Sequence, residues 1–154
     1  MAFGPPYLHG SSIPGLLEGA PFHNDSFLLT FNSEANASGT NVYVGAIVTL
    51  ATDNDFTCVV PVAGEGAELK FILGVAQTSG QLQSAIDVIC RGEVTVICDT
   101  TVTPGQFLDT SDTTGHDGMV AVADTATGQL NARLIALQGC TVTSTPQSIV
   151  ALLF

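Results

Sequence analysis

The residues with the greatest capacity for chemistry fall in one loop. Asp112, His116 and Asp117 crowd a polar stretch that follows Asp109. An imidazole beside carboxylates is the minimum for a general base or a cation site. This loop supplies neither a second histidine nor a matched nucleophile. His9 and His23 lie far off in a proline-rich stretch, where packing or capping is the ordinary role. Asp53-Asn54-Asp55 opens like a calcium loop, but no glycine follows at the required place and no glutamate closes the ring. It reads as a solvated turn. Gly64-Glu65-Gly66 follows a short strand with no helix after it, so its glycines read as a turn as well. There is no GxSxG, HExxH, P-loop or dinucleotide fingerprint. The expectation is a protein that is not an enzyme, with no catalytic residues, no bound metal and no cofactor.

The four cysteines point the same way. Cys58, Cys90, Cys98 and Cys140 form no CxxC pair, and Cys90 and Cys98 sit on alternating apolar runs. There a free thiol behaves as a small buried hydrophobe. The opening Met1-Ala2-Phe3-Gly4-Pro5-Pro6 lacks the basic and apolar regions of a secretory signal. Synthesis in a reducing cytoplasm, with four reduced thiols, is the expectation. No apolar run reaches the length of a membrane span.

Charge excludes further classes. The net charge of −11 comes from 14 acidic residues against only Lys70, Arg91 and Arg133. Nucleic-acid binding and attraction to anionic lipid both draw on Lys and Arg, which are too few here. Neither nucleic acid nor membrane is an expected partner. Hydrophobic residues make up 45% of the 154 but charged ones only 11%, so part of the surface is expected to be covered by another protein.

The elements that must position these residues follow a period of two. In 84–99, Ile86, Val88 and Cys90 alternate with Asp87, Ile89 and Arg91, and Val94, Val96 and Cys98 alternate with Thr95 and Ile97. Such β-branched alternation suits a pleated, half-buried surface. Gly92 interrupts the run as a bulge or a tight bend would. Asp87, Arg91 and Glu93 break up its tendency to aggregate. Shorter strand patterns occupy 42–50, 56–61, 71–76, 106–108, 119–123, 132–137 and 149–154, separated by turn signals. Asn131 to Gln138 is the one competing helix. Short strands at this spacing predict an all-β fold, a small barrel or sandwich.

Residues 1–41 differ, and read as an extended N-terminal arm ahead of a β-barrel domain at 42–154. Four of the seven prolines lie there (Pro5, Pro6, Pro14 and Pro21), and no regular period survives them except briefly at Phe27 to Phe31. Yet the arm is not the polar composition of a disordered tail. Phe3, Tyr7, Leu8, Ile13, Leu16, Leu17, Phe22 and Phe27 form a series of apolar anchors, for another surface or for the arm's own domain.

The order of these segments resembles a family of small tailed-phage head proteins, the capsid decoration or cement proteins. The matching residues are Gly45-Ala46-Ile47-Val48-Thr49-Leu50, Ile72-Leu73-Gly74-Val75-Ala76 and Asp87 to Val96. Val102-Thr103-Pro104-Gly105-Gln106-Phe107-Leu108 and Ile149 to Leu153 continue the series. Leu134 stands where the family tends to repeat a glycine, so the second half is expected to pair differently. The arm lies outside the shared core. The resemblance implies a non-enzymatic β-barrel on the exterior of the virion capsid, assembled in the host cytoplasm. It further implies the major capsid protein as partner, a homo-oligomer (trimer or dimer), and the arm's anchors as the capsid contact. Two alternatives stay open: a tail or baseplate structural protein, and a receptor- or carbohydrate-binding β module.

Overall fold

The computed structural model describes residues 26–52, 54–64, 71–123 and 132–154. Among these described residues nine strands account for the regular structure: β1 (Phe27–Glu34), β2 (Ile47–Leu50), β3 (Thr57–Val59), β4 (Gly74–Ala76), β5 (Ala85–Cys98), β6 (Phe107–Thr110), β7 (Val120–Val122), β8 (Leu134–Ala136) and β9 (Gln147–Leu153). The all-β expectation holds. The stretch weighed as a helix, 131–138, contributes β8 instead.

The pairings close into two rings that share one strand. β1, β3, β2, β4 and the first half of β5 follow one another around a five-stranded barrel, and β1 returns to β5 along Phe27–Asn32. The second half of β5, β7, β6, β8 and β9 close a second ring, with β9 returning to β5 along Gly92–Cys98. Each ring has one parallel contact, β1 with β3 and β5 with β7, and four antiparallel ones. Closure removes most sheet edges, which short strands leave vulnerable when open.

The two rings repeat in register. Ile47 opposite Val75 recurs as Phe107 opposite Ile135. Val75 opposite Ile89 recurs as Ile135 opposite Leu152. Leu29 opposite Val88 recurs as Val94 opposite Ala151. The second half therefore pairs as the first does, and the different pairing expected from Leu134 is corrected: Leu134 takes Gly74's place, facing β6 as Gly74 faces β2.

The bend expected at Gly92 is where β5 passes from one barrel to the next. Its φ of +116° is one that L side chains rarely adopt, and an added Cβ would lie 2.8 Å from Ser26 Oγ. The β1–β5 register also shifts beside it, between Phe27 and Leu28.

The sheet begins within the stretch assigned to the arm. Phe27–Glu34 is β1, held between β5 and β3, with Phe31 and Ser33 buried in the first barrel. Residues 1–25 precede Ser26, where the described chain begins. Those residues, with the anchors Phe3, Tyr7, Leu8, Ile13, Leu16, Leu17 and Phe22, lie outside the described residues.

Candidate interaction surface

The loop with the densest chemistry turns out to be a strap between the barrels. His116 Nδ1 lies 2.9 Å from Asp99 Oδ2, at the end of β5, and the Ser111 hydroxyl donates to the same oxygen. The Asp99 side chain is wholly buried, whereas that of His116 is one-third exposed. Asp117, one residue on, faces the other barrel. Its Oδ2 accepts from Asn36 Nδ2 and Thr40 Oγ1, both at 2.8 Å, and its Oδ1 from the Ala63 N–H at 3.0 Å. Tyr43 donates its hydroxyl to the Asp117 carbonyl at 2.6 Å. Gly118 completes the strap, giving an N–H to Pro61 and accepting one from Ile47.

This geometry is not that of a nucleophilic triad. Serine, histidine and aspartate are all present, but Ser111 and His116 both bond the carboxylate. In a nucleophilic triad the imidazole stands between serine and carboxylate and takes the serine's proton. Asp112, expected in the cluster, is exposed and its side chain joins neither carboxylate's network. Among the described residues no group of three His, Cys, Asp or Glu side chains is placed to hold a metal ion. Asp99 and Ser111 escaped sequence reasoning because only the fold brings positions 99, 111 and 116 together.

The electrostatics are those of buried structure. Burial would raise the Asp117 carboxyl, but donors from Ala63, Asn36, Thr40 and Ser38 outweigh it and hold it below its ordinary range. Burial, then the Asp117 charge, pushes Tyr43 up to about 12. The cysteines are unpaired, with Cys58, Cys90 and Cys98 buried and Cys140 half-buried. Burial pushes Cys58 up to about 11 and Cys98 to about 12, the opposite of an activated thiol. A groove of about 500 Å³ runs beside Glu34, Leu50, Val60 and Phe71, and among the described residues its lining holds no histidine, cysteine or basic residue.

Arg133 makes a second tie between the barrels. Its guanidinium donates to Ile72 O at 2.8 Å and Cys90 O at 3.4 Å in the first barrel, and to Phe154 O at 3.0 Å in the second. It also lies 4.7 Å over the Phe71 ring. The strap and Arg133 thus hold the two barrels in one arrangement.

Part of the described surface is apolar. Phe27, 55% exposed, begins a run with Leu28 and Leu29 in which three successive side chains meet solvent. Phe56, Leu50, Phe71 and Leu82 are exposed on the first barrel, and Leu137, Leu152 and Phe154 on the second. Single exposed apolar residues are ordinary, but clusters of them mark interaction surfaces. Of the anchors read from the sequence, Phe27 is the one within the described residues, and it lies at the edge of such a cluster.

No family model matches the chain, and no curated protein matches it. Among solved structures, its fold is similar to that of the N base of head fiber gp8.5 in bacteriophage phi29. The likeness has a TM-score of 0.54 at 17% sequence identity, and covers 83% of this chain and 95% of that one. The shared feature is the fold.

Proposed function

We propose that this chain is a non-catalytic structural component of a tailed-phage head, attached to the outside of the assembled shell and stabilising it. The observation that carries this reading is the fold, shared over 83% of the chain with the base of a phage head fiber. An exposed apolar surface, a scarcity of charge and a strap built from the polar residues support it.

The mechanism is linkage. A protein that binds only where shell subunits meet stabilises the assembled shell by its binding free energy. The anchors Phe3 to Phe22 are assigned to the major capsid protein, and several arms on one oligomer add avidity, so each arm needs only modest affinity.

Co-sedimentation tests the reading. Purified protein mixed with phage heads that lack it is expected to pellet with the heads at saturable stoichiometry and to raise their resistance to heat. Protein that stays in the supernatant at every ratio overturns it. A truncation that removes Met1 to Asp25 spares β1 and should fold, yet fail to pellet. Normal occupancy by the truncated chain would reassign the anchor to the barrels.

A further inference from the structure

The contact between the two barrels has two sides, and the register repeat places a copy of each side at the ends of the molecule. On the first barrel, Val48, Ala76 and Val88 point inward, whereas the alternate residues Ile47, Val75 and Ile89 point outward and join the core of the second barrel. They cover the entry of that barrel, where Val94 is 4% exposed. The turn at Gly45 lies alongside, its Cβ position 3.4 Å from Thr95 O. Gly118 meets Val60 and Ala46 in the same seam, with no room for a side chain.

Among the described residues, the counterparts of both sides have no such cover. Leu29, which corresponds to Val94, is 39% exposed, and Phe27 and Leu28 beside it are more so. Phe56, which corresponds to Gly118 on the same inter-strand loop, is 79% exposed. At the other end, Phe107, Ile135 and Leu152 correspond to Ile47, Val75 and Ile89; the first two are half-buried and Leu152 is 39% exposed. Phe154 packs edge-on against Phe107 and enlarges this apolar face. The turn at Gly105, counterpart of Gly45, meets nothing within 4 Å.

We propose that a second copy of this chain covers each end, repeating between copies the barrel-on-barrel contact found within one. The outer face of the second barrel (Phe107, Ile135, Leu152) seats on the entry of the next copy's first barrel (Leu29, Phe56). The occupant is a copy of this chain because the chain itself already shows the counterparts of these two surfaces in contact. A contact that joins unlike faces is head-to-tail, and closes into a ring where the rotation allows or extends as a filament where it does not. The phage-head reading draws on an oligomer for avidity but not on this particular contact, and head binding is assayed separately.

Light scattering on the full chain tests the proposal through two variants, Leu29→Glu on the entry face and Leu152→Glu on the outer face. The wild type is expected at a multiple of 15.8 kDa, and each variant alone at 15.8 kDa with an unchanged β circular-dichroism spectrum. An equimolar mixture should form a pair and nothing larger, because one intact face of each kind remains. If Leu29→Glu does not fold, Phe27→Glu, at a more exposed side chain, takes its place. A monomeric wild type overturns the proposal. So do variants that keep the wild-type mass, a mixture that stays monomeric, or one variant that pairs with itself.

Discussion

The two barrels solve the same packing problem with opposite choices. In the first, a Cβ at Gly74 would fall 2.5 Å from Val88 Cγ1 and 2.4 Å from Ile89 O. In the second, Val88's counterpart is Ala151, and the strand beside it carries a fully buried Leu134. Small opposite large is kept, but the large residue changes strands. The first barrel also holds Phe31 where the second has Val96. Each interior is filled, in agreement with the close packing of protein cores, by a different distribution of side chains over the same backbone frame.

The largest effects should come from breaking this exchange. Leu134→Ala removes a side chain from the centre of the second barrel and should cost about 2–5 kcal/mol. Gly74→Ala overpacks the first, at about 1–3 kcal/mol or more. Adding Val88→Ala should recover only part of the second loss, because the Ile89 carbonyl stays where it is. Urea unfolding of the three variants measures all of this. Full recovery in the double variant would mean that the side-chain contact alone decides the glycine.

The barrels share β5, so Gly92 belongs to both. Gly92→Val should lose about 1–3 kcal/mol, from the positive φ and from the approach of Ser26. Wild-type stability in that variant would mean the strand can straighten without disturbing either ring.

The strap gives the first barrel an acid-sensitive contact. Asp117 is held ionised by donors from the first barrel, and its folded-state value lies below its unfolded one. Its contribution is therefore whole above the unfolded carboxylate range, near pH ~4, and is lost as pH falls through the lower folded value. Asp117→Asn should be less stable at neutral pH by about 1–3 kcal/mol, and the deficit should shrink as the wild type is acidified. A deficit that stays constant down to the acid transition would place the effect in packing instead.

How much of this was legible depends on where the information sits. The alternation across Ile86 to Cys98 and the break at Gly92 are local, and both appear in the fold as the sequence suggests. β1 is not local in that sense: Phe27-Leu28-Leu29 shows no alternation, and among the described residues all three side chains are exposed whereas Phe31 is buried. β3, β4, β7 and β8 are three residues each, too short to show a period. The repeat is hidden by the exchange of Gly74 and Val88 for Leu134 and Ala151, which erases the similarity that equal packing would leave. The Asp99–His116 contact joins positions 17 residues apart through β5 and the strap, and no spacing rule predicts it.

The smallest effect sharpens the comparison at one pair of positions. Phe56 and Gly118 occupy corresponding sites, and both have positive φ, +52° and +76°. At Gly118 the seam between the barrels leaves no space, with Val60 Cγ1 2.5 Å from the Cβ position, so glycine meets both the backbone and the packing demand. At Phe56 the space is open, and a bulky residue sits in a conformation that costs of order 1 kcal/mol. Phe56→Gly removes that cost but adds backbone freedom to the unfolded chain, so the two terms nearly offset. The isolated chain should change in stability by less than about 1 kcal/mol. Self-association should weaken all the same, because the substitution removes an exposed ring from the entry face. Measuring unfolding and mass on the same samples separates the two outcomes. A variant that associates as the wild type does, at unchanged stability, would show that the strain at Phe56 serves neither the fold nor the contact between copies.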